Sequence, residues 1–396
     1  MIIVHLCLAN FFVDDYSYQE NMLPKYHKLL GHDVKVIASL VTFDAHGQVS
    51  YLPSGGRYIN EYDIPVTRLE YRGNLRLARR FRRYVGAYEA LEQEAPDVLF
   101  IHGCQFVDIR HVVRYLKAHP GVRVYVDNHA DFSNSARNLL SKYVLHRIVW
   151  RRCARLIEPY ARKFYGVLPA RVDFLKHVYG VNPDKVELLV MGADDEAVEA
   201  SRQSDARSRI RQRYGIGADD FLIMTGGKID AFKTQTLKLM EAVLGIARAN
   251  VKLIVFGSVI PEMQQKVDAL TDHIATKFIG WVPSQLSYDH FAAADLVVFP
   301  GRHSVFWEQV CGQGIPLMVK KWAGTTHVDV GGNVIFLTED SEKEMREKIL
   351  ELLDRPEALA RMRQVAEREG MKRFSYRGIA LRSIEEHDES TGARRP

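Results

Sequence analysis

Short apolar runs alternate with amphipathic segments along almost the whole chain, and this alternation constrains the fold more than any other feature. In the first half, strands are expected at IIVHLCL, VKVIAS, DVLFIHG and RVYVDNH. A helix is expected over YQENMLPKYHKLLGHD, ended by Gly31. A second series starts near residue 220 with FLIMTGG, VKLIVFGS, ATKFIG, DLVVFPG, PLMVKK and NVIFL, and helices fit at 233–248, 260–270, 284–293 and 305–312. Runs without polar alternation suit strands buried on both faces of a parallel sheet. Two such series predict an α/β protein of two Rossmann-like, doubly wound domains facing a central cleft. The polar run DDEAVEASRQSDARSRIRQ marks the join, giving expected domains at 1–195 and 196–370. Residues 371–396 are expected to form a closing helix and a frayed tail.

Composition narrows the class. The net charge of +5 is too small to argue for nucleic acid. Cys7, Cys104, Cys153 and Cys311 are scattered, with no CxxC pair and no metal-ligand spacing. That usage suits a reducing compartment and predicts neither a zinc site nor a disulfide frame. The first residues, MIIVHLCLANFF, lack a basic leader and run into Asp14 and Asp15, so a buried strand is expected there and not a signal peptide. No apolar run approaches the ~20 residues of a transmembrane helix. A soluble protein, at most peripheral on a membrane, is expected.

The most informative stretch is FLIMTGGKIDAFKTQTLKLMEAV. A strand ends at Gly226-Gly227, where missing side chains allow close approach. Lys228 and Lys233 follow just ahead of a helix whose free N–H groups favour anions. Two lysines and a helix N-terminus suit a diphosphate. The plainer reading is a pair of solvated surface lysines.

The spacing G-[RK]-x4-K after a strand resembles that of retaining glycosyltransferases of the two-Rossmann (GT-B) fold, family 4 or group 1 type. Gly227 matches the family glycine, Lys228 stands where those enzymes usually carry Arg, and Lys233 matches their lysine. The resemblance implies that this pair binds the donor diphosphate and stabilises it as leaving group. Lysine in place of arginine keeps the charge but loses the bidentate fork.

DLVVFPGRHSVFWEQVCGQGIPLMV resembles the family's nucleotide-sugar segment. Glu308 lies near its second glutamate, with Gln309 as the in-register alternative, and implies a ribose contact. The upstream glutamate is missing, and Arg302, His303 and Ser304 occupy that loop. His303 and Ser304 are candidates for phosphate or sugar contacts, His303 alternatively being a capping or exposed loop residue. VKLIVFGS ending at Gly257 matches the family's glycine loop, and FIGWVP resembles the stretch that frames the base, read by the backbone of Trp281 and Val282. MGADDEAV and FSYRGIA resemble the family's interdomain element and closing helix, so the resemblance covers residues 160–385.

The first half departs more, with FFVDDYSYQEN in place of the family's glycine loop. The resemblance implies a histidine facing the donor sugar at a strand end, and His129 matches it better than His102. A structural hydrogen-bonding role is the plainer reading. Glu20, Tyr18, His102 and Asp131 are candidates on the acceptor side, with Asp127 a further polar group at the same rim. Six arginines lie in 72–83, and a second basic and aromatic run spans 137–163. Each reads as a solvated helix face or as a surface for anionic lipid.

The implied reaction moves a sugar from a nucleoside diphosphate to an acceptor hydroxyl, sugar or lipid-linked, with retention. The expected setting is bacterial surface polysaccharide or glycolipid synthesis on the cytoplasmic face of the plasma membrane. The donor is a co-substrate, and no cofactor or metal is expected, since no D-x-D stands in a suitable loop. Rival readings are a two-Rossmann epimerase or phosphorylase, and a sugar-nucleotide-binding protein without catalysis. A dehydrogenase is disfavoured because no GxGxxG follows an expected strand.

Overall fold

The computed structural model describes residues 1–44, 48–133, 135, 140–230 and 234–385. The chain divides into two units, Met1–Val190 with Ile379–Pro396, and Met191–Gly378. The strands of the first unit are β1 (Ile2–Cys7), β2 (Asp33–Ala38), β3 (Val41–Phe43), β4 (Val49–Tyr51), β5 (Gly56–Ile59), β6 (Pro65–Arg68), β7 (Val98–His102), β8 (Arg123–Asn128), β9 (Ala161–Gly166) and β10 (Val186–Leu188). Eight of them form one sheet in the order β10-β9-β8-β7-β1-β2-β6-β5, while β3 and β4 pair separately as a hairpin. All neighbours in the large sheet are parallel except β5, which runs antiparallel to β6 at the edge.

The second unit contains β11 (Phe221–Gly226), β12 (Val251–Phe256), β13 (Thr276–Phe278), β14 (Leu296–Phe299), β15 (Leu317–Lys320) and β16 (Val334–Leu337). They form a parallel sheet ordered β13-β12-β11-β14-β15-β16. The order reverses at β11, as it does at β1 in the first unit. Loops diverge at such a switch point and leave a crevice beyond the strand ends. Its central strands are apolar throughout because helices cover the sheet. Leu239, Met240 and Val243 of the Gln235–Leu244 helix join Leu253, Leu296, Val298, Met318 and Ile349 in one core. Each such side chain contributes about 1.5–3 kcal/mol by leaving water.

The expected strands of both series are present, and the helix after β1 ends as expected, with Gly31 at φ +88°. The amphipathic stretch after residue 340 is not continuous. Pro356 lacks an N–H and starts a new helix, separating Glu342–Asp354 from Pro356–Val365. Strands β5, β6, β9 and β10 lie at or near the sheet edges and are short or charged, so they carry no long apolar run.

Candidate functional site

The loop leaving β11 is built by glycines, whose lack of a side chain is used for space at Gly226 and Gly257 and for backbone angle at Gly227 and Gly257. A Cβ on Gly226 would lie 2.4 Å from the Phe256 ring. Gly227 and Gly257 adopt φ +128° and +133°, and a Cβ on Gly257 would lie 1.9 Å from the Gly227 carbonyl oxygen. Backbone bonds lace this loop to its neighbours: Gly227 N–H donates to Phe256 O at 3.0 Å, Ile229 N–H to Ser258 O at 2.8 Å, and Gly257 N–H to Gly280 O at 2.8 Å. Gly280 leads into Trp281, which is 68% exposed, and Val282, which is buried. The exposed position of Trp281 therefore follows from a loop tied to Gly257.

A pocket opens where the strand order reverses, beyond the carboxyl ends of β11 and β14. Thr225, Gly226, Gly227 and Lys228 line one wall, and Phe299, Pro300, Gly301, Arg302 and Ser304 the other. Gln235 and Thr236, from the first turn of the Gln235–Leu244 helix, close the floor. Leu237 N–H donates to Thr234 O at 3.0 Å, and among the described residues no side chain caps the N–H groups of Gln235 and Thr236, which suit an anion. Lys228 and Arg302 are exposed cations on opposite walls. Glycine backbone, a helix N-terminus and two cations are groups that suit an anion. Trp322, not singled out in the sequence, donates its indole N–H to Gly301 O at 3.1 Å and braces the second wall. Lys233 lies outside the described residues.

Gly227, Lys228 and Ser304 thus meet in one pocket, whereas His303 and Glu308 turn into the protein. Glu308 is fully buried, and its Oε1 accepts hydrogen bonds from His303 Nε2 and His327 Nε2, both at 2.8 Å. Burial pushes the carboxyl upward, but the two imidazoles outweigh that and hold it down at about 2. Oε1 is thus taken by the two imidazoles, while Oε2 has no hydrogen-bond partner among the described residues. His327 stands 19 residues away in sequence, and no spacing announces the pairing.

The first unit gathers its own titratable groups. Asp127, at the end of β8, accepts from His102 Nδ1 at 2.7 Å, and the same oxygen lies 3.3 Å from His129 Nε2. Glu20, on the Gln19–Leu29 helix, lies 3.7 Å from His129. Burial pushes His129 down, yet the Glu20 and Asp127 carboxylates outweigh it and hold the imidazole above its ordinary value. One fifth of its side chain is exposed, which makes it the accessible member of the cluster. His102, expected on the acceptor side, is wholly buried with its Nε2 facing His5 at 2.9 Å, so it touches no acceptor directly.

Glu20, His102 and His129 lie close enough together to invite a metal, but both nitrogens of His102 are engaged by His5 and Asp127. In the His303, Glu308 and His327 group, the two imidazole nitrogens sit at hydrogen-bond distance from the carboxylate. The second group is a hydrogen-bonded assembly, and the first combines the hydrogen bonds of His102 with the ion-pair contacts of His129 to Glu20 and Asp127.

Asp131 is occupied structurally. It accepts from Ser133 N–H and Oγ and pairs with Arg171 at 3.2 Å. Burial raises its carboxyl, but these partners hold it below the usual range. Tyr18 stacks on Tyr16 at 5.4 Å, and burial pushes its phenol up to about 12.

No family model matches the sequence, and no curated protein does either. Solved structures do match in fold. A glycosyltransferase from Rickettsia africae aligns with a TM-score of 0.67 at 11% identity, covering 97% of this chain and 96% of its own. Anabaena HepE in complex with UDP aligns at 0.65 and 15% identity, over 96% and 98% of the two chains. A UDP-GlcNAc 2-epimerase from Neisseria meningitidis, bound to UDP-GlcNAc, aligns at 0.62 and 12% identity, over 97% and 99%. The chain has the GT-B glycosyltransferase fold.

Proposed function

We propose that this chain is a retaining glycosyltransferase that moves a sugar from a nucleoside-diphosphate sugar to an acceptor hydroxyl. The observation that carries the reading is the pocket at the β11/β14 switch point, where Lys228, Arg302 and the first turn of the Gln235–Leu244 helix surround two glycines. In such a reaction negative charge grows on the departing diphosphate as the glycosidic bond breaks. Fixed cations and N–H dipoles stabilise that charge without reorganising. Lys233 precedes the same helix in sequence and is assigned to the same group. His129, held protonated-prone by Glu20 and Asp127, is assigned to hydrogen bonding with the sugar. UDP and a UDP-sugar are bound by the similar HepE and epimerase structures, which supports a nucleotide-sugar donor. No metal enters this scheme.

A lipid-linked acceptor fits the surface of the first unit. The helical stretch Leu140–Ile157 exposes Tyr143, Val144 and Ile148 beside Arg147, Arg151 and Arg152. The helix Leu75–Phe81 exposes Leu75 and Leu77 beside Arg76, Arg79 and Arg80. Arg82, just after the second stretch, lies 5.5 Å over the ring of the buried Trp150 in the first, which brings the two stretches near each other. Residues 137–139 of the expected basic run fall outside the described residues. We assign these two stretches to anionic lipid on the cytoplasmic side of a bacterial plasma membrane, in surface polysaccharide or glycolipid synthesis.

Nucleotide sugars screened by thermal shift identify the donor, and acceptor-dependent nucleotide release then tests transfer. The second reading, a sugar-nucleotide epimerase, is favoured by the acid–base cluster at His129 and by the epimerase fold match. It predicts a changed sugar nucleotide from donor alone. Binding with neither outcome, over a range of lipid-linked acceptors, would leave a non-catalytic binder.

A further inference from the structure

Behind His129 a line of three imidazoles crosses the interior of the first unit. His102 Nε2 faces His5 Nδ1 at 2.9 Å, and His5 Nε2 faces His27 Nδ1 at 2.9 Å. His27 Nε2 then faces Ala380 O and Ser383 Oγ, each at 3.0 Å. At the other end His102 Nδ1 meets Asp127 at 2.7 Å. His5, His27, His102, Asp127 and Ser383 are all 0% exposed, so each hydrogen bond along the line matters to stability.

Counting protons shows what the line can do. Four contacts join the Asp127 carboxylate to the Ala380 carbonyl through three rings, and both ends only accept. A neutral imidazole carries one N–H. Three neutral rings therefore leave one contact without a proton. Two arrangements repair this. In the first, the Ser383 hydroxyl donates to His27 Nε2, every ring donates toward Asp127, and the line is neutral. In the second, Ser383 donates to Ala380 O, a bond of 2.8 Å. His27 then donates to Ala380 O, the tautomers of His27 and His5 reverse, and one additional proton is held at the Asp127 end. Placing that proton on Asp127 itself changes its address and not the count.

We propose that this line is a one-proton reservoir, switched by the Ser383 hydroxyl, that sets the charge of His129. His5, His27 and Ser383 are positioning residues and never touch a substrate. The link is Asp127, whose Oδ2 serves both His102 and His129, while its Oδ1 has no hydrogen-bond partner among the described residues. When the line is neutral, the Asp127 charge faces His129 in full and favours the imidazolium. When the line holds its proton, that charge is already compensated and His129 gives up its own proton more easily. Among the other groups facing His129 are Glu20, from the helix after β1, and Arg171, from the Pro169–Phe174 helix. Cys7 lies within the field of Glu20 and Asp127, and His32 faces His27 at 6.3 Å between ring centres. Burial keeps the His27 imidazole at about 3 and His5 well below its ordinary value, so the additional proton stays away from these two rings.

The test uses full-length protein with 15N-labelled histidine, followed by NMR through a pH titration, with His129 assigned from His129→Gln. Ser383→Ala removes the donor that the neutral line needs, so the midpoint of His129 should fall, on the order of one pH unit. His5→Phe cuts the line beside His102 and forbids the charged form, so the midpoint should rise by a similar amount. Opposite shifts from two sites that do not contact His129 are not the signature of simple loosening. If His5→Phe fails to fold, Ser383→Ala decides alone, with His27 read directly by its ring nitrogens. It should carry its proton on Nε2 in the variant. An unmoved His129 midpoint in folded Ser383→Ala, or shifts of one sign in both variants, overturns the proposal. The readout needs no donor or acceptor, so its failure is separate from failure of the transferase reading.

Discussion

The backbones of Gly227 and Gly257 touch: a Cβ on Gly257 would sit 1.9 Å from the Gly227 carbonyl oxygen, in a loop where Gly257 has φ +133°. Neither strain nor clash can relax without moving the Gly226–Lys228 wall of the pocket. Gly257→Ala should therefore lower stability by roughly 2–5 kcal/mol, from the left-handed backbone and the overpacking together. UDP affinity should fall with it. Gly280→Ala is the control, since Gly280 has φ +76° with nothing within 4 Å of its Cβ position. It should cost only about 1–2 kcal/mol. Denaturant midpoints and nucleotide titrations of the two variants decide, and equal effects would mean that the contact does not shape the pocket.

Lys228 supplies one of the two described cations of the pocket and is exposed in the free protein. A charge-assisted hydrogen bond to phosphate contributes about 1.5–3 kcal/mol, so Lys228→Ala should weaken UDP binding roughly 10- to 100-fold. Lys228→Arg should recover most of it, because the charge is kept. Lys233→Ala should abolish turnover. Turnover surviving within a few-fold would show that the leaving-group site lies elsewhere.

The pocket was legible in the sequence because its parts are contiguous. A buried parallel strand reads as FLIMT, and the glycines, the lysine and the helix follow within one loop. The histidine line was not legible. His5 interrupts the apolar run IIVHLC as one polar residue, and its partners His27 and His102 lie 22 and 97 positions away. Glu308 shows the same limit from the other side. Its place ahead of G-x-P suggested a ligand contact, while the histidine that buries it comes from a loop after β15. Strand β9, ARKFYG, was hidden because Arg162 and Lys163 break its apolar run, although Phe164 and Tyr165 are buried.

Acid should unfold the first unit early. His27 is held at about 3 and His5 well below 6.5, both chiefly by burial. Over that window the unfolded chain binds more protons, so stability rises with pH. The contribution of these neutral rings is complete above about 6.5 and is lost as pH falls toward 3. His129 has the opposite sign: its raised value stabilises below about 6.5 and is lost as pH rises through it. In the second unit, Glu308 is held at about 2, and its contribution is lost as pH falls from 4.5 toward 2. Trp150 lies in the first unit, whereas Trp281, Trp307 and Trp322 lie in the second. A variant with Trp150 as its sole tryptophan should lose its folded fluorescence in urea more easily at pH 5 than at pH 7. An unchanged urea midpoint would mean that the buried rings are charged.

The two basic stretches of the first unit should bind membranes through both charge and apolar contact. Ile148 is 62% exposed, and Leu75 and Leu77 are 55% and 52% exposed, each flanked by arginine. Arginine near an anionic surface contributes about 1 kcal/mol per residue and is screened by salt, whereas apolar insertion is not. The wild-type protein should sediment with vesicles containing anionic lipid and remain in solution with neutral ones, and raised salt should release only part of it. Ile148→Ser with Leu77→Ser should leave a binding that salt abolishes entirely. Replacing Arg76, Arg80 and Arg147 by Ser should weaken binding at low salt and remove its preference for anionic lipid. These positions are exposed, so the variants should keep the wild-type melting temperature. Binding that ignores the arginine substitutions would assign these stretches to another partner.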